Sequence, residues 1–82
     1  MPRAWVTSDA YSAVVAVLVE TRKATGLSQR DLSDRLGKPR SYISKIETKE
    51  RRVDVLEFIE LAEALDIQPD DLFGRVTAAL RK

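Results

Sequence analysis

Five polar residues crowd one short stretch of the chain: Arg40, Ser41, Tyr42, Ser44 and Lys45. On a helix, this spacing sets Arg40, Ser41, Ser44 and Lys45 on or near one outward face, while Ile43 and Ile46, three apart, turn inward. The chemistry this pattern suits is hydrogen bonding to the edges of nucleic-acid bases. A guanidinium forms two parallel bonds to guanine O6 and N7, worth about 1–3 kcal/mol of discrimination. Lys45 does the same less strictly, or holds a phosphate. Tyr42 offers its ring to a thymine methyl or a sugar, and its hydroxyl to a phosphate. Arg40 is the first candidate to read a base.

Other chemistries find less support. The chain has no histidine and no cysteine, which removes the commonest general base, thiolate metal sites and disulfides. Ser28, Ser41 and Ser44 therefore lack a base to activate them. Glu57, Glu60 and Glu63 recur every third residue, but no glycine-rich loop or second acidic cluster accompanies them. A solvated helix face is the plainer reading of that row than a metal or catalytic site. The expectation is a protein that is not an enzyme, with no cofactor, no metal and no small-molecule ligand. No apolar run approaches the roughly 20 residues of a membrane span. The start, Met-Pro-Arg-Ala-Trp, does not read as a signal peptide, so the cytoplasm, and within it the nucleoid, is the expected compartment.

Two helices must hold the polar stretch in place. Ser28 is a good N-cap with Asp31 three residues on, and Leu32 and Leu36 share one face. Gly37 sits where a helix ends in a left-handed residue, and Pro39 suits the first turn of the next helix. This predicts helices over 28–36 and 39–48 joined by a tight turn, the helix-turn-helix arrangement whose second helix enters the DNA major groove.

The rest of the chain also reads as helical. Helix 1 is expected over 8–25, with Thr7 or Ser8 as cap and Tyr11, Val14, Val15 and Leu18 as its buried stripe. Val17 and Val19 fall outside that stripe and call for a cover or a partner surface. Asp54 with Glu57 forms a capping box for helix 4, whose expected core stripe is Val55, Phe58, Ile59, Ala62 and Leu65. Pro69, Asp70 and Asp71 start helix 5, with Leu72, Phe73, Val76 and Leu80 as its apolar stripe and Gly74 as a point of weakness, about 1 kcal/mol relative to Ala. The fold class is all-α with five helices. The organisation is an N-terminal arm (1–7), a helix-turn-helix domain (8–73) and a C-terminal helical extension (74–82). Arg3 in the arm could reach a phosphate, though a frayed end is the plainer reading; Trp5 is expected to fold back on the body.

Net charge is only +1, but its distribution is uneven. Residues 22–52 hold ten basic and four acidic groups, whereas residues 53–74 hold seven acidic groups and no basic one. A basic stretch centred on a helix-turn-helix is the electrostatic footprint of DNA binding.

The series Gly26-Leu27-Ser28-Gln29, Leu32, Ser33, Leu36-Gly37 and Ile43-Ser44-Lys45-Ile46-Glu47 resembles the helix-turn-helix of the lambda-repressor-like (XRE/Cro) family. Leu56, Leu61-Ala62, Ala64-Leu65 and Asp71-Leu72-Phe73 extend the resemblance to roughly residues 11–73. It implies base contacts from Arg40, Ser41 and Lys45, often with Tyr42. It implies that Gln29 bonds a phosphate and braces the first residue of the recognition helix. It also implies an ion pair between Arg22 and Glu47 that links helix 1 to the end of helix 3. Lys38, Lys49, Arg51 and Arg52 are the further candidates for phosphate contacts.

Three positions depart from the family pattern. Lys38 stands where an apolar residue is commoner, Pro39 replaces the usual capping Ser or Thr, and Lys49 stands where a glycine often follows the glutamate. The expected function is a sequence-specific regulator of double-stranded DNA, repressing as a homodimer through Leu72, Phe73, Val76 and Leu80. The alternative is an antitoxin-like or accessory protein-interaction module on the same fold, using the acidic face of helix 4.

Overall fold

The computed structural model describes residues 8–81. The expectations for Arg3, Trp5 and Thr7 lie outside those residues. Five α-helices follow in order: α1 (Asp9–Thr25), α2 (Gln29–Arg35), α3 (Tyr42–Glu47), α4 (Val55–Ala64) and α5 (Pro69–Leu80). No strand occurs among the described residues.

Local chemistry sets the helix ends. Ser8 caps α1 by accepting the Tyr11 N–H, and Gly26 closes it at φ 81° with its N–H on the Lys23 carbonyl. Reciprocal capping boxes start α2 (Ser28 with Asp31) and α4 (Asp54 with Glu57). Pro39 does not begin α3. It opens a turn in which the Tyr42 N–H bonds the Pro39 carbonyl at 2.9 Å, and regular helix begins only at Tyr42. The Pro39 carbonyl is closed by an i to i+3 bond, so residues 39–42 form a turn and the chain enters α3 three residues later than the capping pattern predicts. Gly37 takes φ 66° in the connection. A Cβ at Gly26 or Gly37 would meet nothing within 4 Å, so it is the left-handed backbone, not crowding, that calls for glycine.

The core joins Val17 and Leu18 of α1, Leu32 of α2, Tyr42, Ile43 and Ile46 of α3, Leu61, Ala62 and Leu65 at α4, and Leu72 and Val76 of α5. Helix α1 lies against both α5 and α3, α2 against α3, and α4 against α5. Because α1 has neighbours on two sides, it buries a wider arc than one stripe. Val17, expected outside the stripe, is buried, and the C-terminal helix is the cover it needs.

Helix α4 is rotated relative to the expected stripe. Phe58, Leu61, Ala62 and Leu65 face inward, whereas Val55 is 78% exposed and Ile59 sits at the surface. Helix α5 runs through Gly74 without a break, so residues 74–80 are the second half of one helix. Its stripe divides: Leu72 and Val76 are buried, Phe73 and Leu80 exposed.

Candidate nucleic-acid interface

Helix α3 is held by two anchors, Ile43 and Ile46, each at most 2% exposed. Burying two isoleucines fully is worth about 1.5–3 kcal/mol each, enough to fix the rotation of a six-residue helix that could not stand alone. With those two inward, Lys45 is exposed on the outer face of the helix, while Arg40 and Ser41 are exposed in the turn that leads into it rather than on the helix itself. Among the described residues none hydrogen-bonds or ion-pairs with the Arg40 or Lys45 side chain. Ser44 is half-buried and turns its hydroxyl back onto the Ser41 carbonyl at 3.0 Å.

Tyr42 does not stand with the others. It is only 7% exposed and belongs to the core cluster. Its ring is the floor of a shallow pocket walled by Lys38, Pro39, Ser41, Lys45 and Arg51. The Lys38 ammonium and the Arg51 guanidinium lie 5.5 and 5.0 Å from the ring centre, in cation–π range. Burial raises the Tyr42 phenol above its ordinary range, and the bonded Glu57 carboxylate adds to that. The ring is therefore not presented to solvent beside Arg40 and Lys45, as a base contact would need: its bulk is spent on the core, and its remaining surface on Lys38 and Arg51.

Glu57 was expected on the wet face. It is instead the hub of that cluster, with its side chain only 12% exposed. Its carboxylate accepts two bonds from the Arg51 guanidinium and one from the Asp54 N–H, and it bonds Tyr42. Burial alone would raise its pKa, but the Asp54 amide and the Arg51 guanidinium overcome it and hold the carboxyl below its ordinary value. Arg51 is thus fixed by α4, not a loose loop cation, while its side chain stays 41% exposed beside the pocket.

Glu47 ties the far end of α3 to the first two helices. Arg22 Nε donates to Glu47 Oε2 at 2.7 Å and Nη2 to Oε1 at 3.1 Å, while Nη1 reaches the Leu27 carbonyl at 2.8 Å. Gln29 Nε2 donates to Glu47 Oε1 at 2.7 Å. The brace from Gln29 therefore runs to the last residue of α3, not the first.

The remaining cations divide. Lys38 is exposed. Lys49 takes φ 66° and donates to the Ser12 hydroxyl at 2.8 Å, which ties the loop after α3 to α1. Arg52 lies over the Tyr11 ring at 5.5 Å. Arg35 turns away, onto the Ala64 carbonyl at the end of α4. The basic stretch thus holds structural and outward-facing cations in one run, and composition does not separate them.

Ser33, which the family resemblance marks only as a small residue, has a larger part in the structure. Fully buried on α2, it accepts the Ile43 N–H at 3.2 Å and donates to the Arg40 carbonyl at 3.4 Å. The available signal was a hydroxyl between Leu32 and Leu36, ahead of a helix that Pro39 leaves without a local cap. Leu72 and Val76, expected at a dimer contact, are at most 5% exposed because they pack within the monomer.

Beyond the interface, Val14, Val53, Val55, Phe58, Phe73, Val76 and Leu80 line an apolar groove of about 350 Å³ between α4 and α5. Phe58 and Phe73 meet there edge to face, with ring centres 6.2 Å apart. Among the described residues no group of histidine, cysteine or acidic side chains is placed to hold a metal, and no helix is long and apolar enough to cross a membrane.

Residues 18–72 match the family described as helix-turn-helix. Among solved structures, an XRE-family like protein from Pseudomonas syringae pv. tomato str. DC3000 superposes with a TM-score of 0.78 at 39% identity, over 84% of this chain and 84% of that one. No curated protein matches the chain.

Proposed function

The chain belongs to the XRE-type helix-turn-helix family of DNA-binding regulators, and from that premise we propose that it is a sequence-specific repressor acting as a homodimer on a near-palindromic operator. The observation that carries the reading is the exposure of Arg40 and Ser41 in the turn into α3 and of Lys45 on α3 itself, over anchors that fix the helix's rotation. In the major groove Arg40 pairs with a guanine, and Ser41 and Lys45 bond neighbouring base edges; Ser44, half-buried, contributes at the margin. The cationic pocket over Tyr42 seats a backbone phosphate between Lys38, Lys45 and the Glu57-held Arg51. Arg52 and Lys49 serve the strand beyond α3, and Gln29, at the N-terminus of α2, serves the other side. Phosphate contacts set register and affinity; base contacts set sequence.

One six-residue helix reads too few base pairs to stand out in a genome. A two-fold dimer doubles the site, with half-sites one DNA turn apart. Phe73, 59% exposed, and Leu80, 45% exposed, stand on the face that holds the apolar groove. A knob and a groove on one face suit an isologous contact, in which each copy inserts what the other receives. Leu72 and Val76 support that face from beneath. Such a dimer acts in the cytoplasm on the nucleoid, and represses by occupying a promoter.

A second reading, an antitoxin-like or accessory interaction module, draws on the exposed Val55 and Leu56 beside the acidic Glu60 and Glu63 on α4. Selection of binding sites from a random duplex pool at about 0.15 M salt, where nonspecific electrostatic binding is limited, separates the readings. An enriched inverted repeat is the expected result. A single half-site would remove the dimer, and no enrichment would favour the interaction module.

A further inference from the structure

The start of α3 lacks a cap of its own. Ser41 occupies the N-cap position at φ −85° and ψ 0° with no side-chain hydrogen bond to the helix, and Pro39 has neither hydroxyl nor N–H to offer. The first amides of a helix have no intrahelical partner and need an acceptor from elsewhere. Here the acceptor comes from another helix. Ser33 Oγ, on α2, takes the N–H of Ile43, the second residue of α3. The same hydroxyl donates to the Arg40 carbonyl, and the Ser33 carbonyl accepts the Lys38 N–H at 3.0 Å. One fully buried residue therefore grips the backbone at positions 38, 40 and 43, on both sides of the exposed Arg40 and Ser41.

We propose that Ser33 is a positioning residue for base reading: it caps α3 from α2 and fixes the backbone from which Arg40 and Ser41 project, so DNA specificity depends on a side chain that never touches DNA. The proposal rests on the DNA-reading function above. The hydroxyl's single proton is directed to Arg40 and a lone pair to Ile43, so both of its capacities are used. Alanine would leave a buried N–H without an acceptor and let the first turn of α3 fray. Base contacts need Arg40 in one place, whereas phosphate contacts through long lysine stems tolerate displacement. Specific binding should therefore suffer more than nonspecific binding.

The test compares binding of wild type and Ser33→Ala to the selected operator and to an unrelated duplex of equal length. We expect the operator-to-unrelated affinity ratio to fall about five- to tenfold, or about 1–1.4 kcal/mol. A Leu61→Val variant, which weakens the core at α4, should lose thermal stability and keep the ratio. An unchanged ratio in Ser33→Ala, or equal losses in both variants, would overturn the proposal. Amide hydrogen exchange on the wild type gives a readout that needs no variant to fold. The Ile43 amide should be protected like the core, and exchange at the rate of an open first-turn amide would also overturn it. If the wild type does not discriminate between the duplexes, the DNA-reading premise falls first, before any substitution is compared.

Discussion

Replacing Glu47 with alanine removes an acceptor shared by Arg22 and Gln29 and leaves a guanidinium stranded inside the protein. The Arg22 and Glu47 side chains are each only 10% exposed, with their shortest contact at 2.7 Å. Without Glu47, Arg22 keeps its bond to the Leu27 carbonyl, but its Nε and Nη2 lose their partners. Breaking one side of a buried pair costs roughly 3–5 kcal/mol. At about 0.05–0.15 kcal/mol per residue, a chain this size has roughly 4–12 kcal/mol of stability in all. Each kcal/mol shifts Tm by about 4–8 °C in a domain of this size, so Glu47→Ala should lower Tm by about 12 °C or more. Arg22→Ala should act in the same direction. The combined change Arg22→Met with Glu47→Leu should cost less than either single change, because it removes both charges from the interior. Thermal unfolding followed by circular dichroism at neutral pH measures all of these. A shift under about 4 °C for both single variants would place the pair among weak surface ion pairs and refute the claim that it anchors α3.

Three further outcomes follow from the same geometry. The Glu57 carboxyl is held below its ordinary value in the folded protein, so its contribution is present above the unfolded pKa, about 4.3, and lost as pH falls through the lower folded value. A pH series of unfolding should show stability falling below about pH 4.3, and Glu57→Gln should flatten that fall; an equal slope in both proteins would count against the Glu57 hub. Lys49 adopts φ 66°, a conformation that costs a residue with a side chain about 1–2 kcal/mol, so Lys49→Gly should raise Tm by several degrees in the same assay. A lower Tm would mean that the bond to Ser12 outweighs the backbone strain. On α5, Phe73→Glu should leave a folded monomer in sedimentation, whereas Leu72→Ala should destabilise the fold itself by about 2–5 kcal/mol; a Phe73→Glu protein that remains dimeric would move the interface elsewhere.

What the sequence disclosed, and what it hid, divides along a physical line. Caps are local, so Ser8, Ser28, Asp54, Pro69 and Gly26 located their helix ends to within a residue. The exception is α3, where the turn at Pro39 overrode the expected start. Periodicity located buried stripes only where a helix has one neighbour. It underestimated α1, packed against both α3 and α5, and it misjudged the rotation of α4, where Val55 and Ile59 face out. Near α3, the exposure of Lys45 was legible because the inward isoleucines determine the outward face of the helix, whereas Arg40 and Ser41 are exposed in the turn before it. Tyr42 and Glu57 were not legible. Their roles depend on α4 and the loop before it closing over α3, a contact between residues 15 apart that no local spacing encodes. Ser33 acts across ten residues in the same way.

The central claim is that the exposed start of α3 reads bases. The most direct measurement is the affinity of wild type and Arg40→Ala for the selected operator, for operators altered one base pair at a time, and for salt from low to high concentration. Arg40→Ala is expected to lose about 1–3 kcal/mol on the operator, give up its guanine preference at one position of each half-site, and keep nearly the same salt slope. A loss spread evenly over all the altered operators, with a shallower salt slope, would make Arg40 a phosphate contact and contradict the claim.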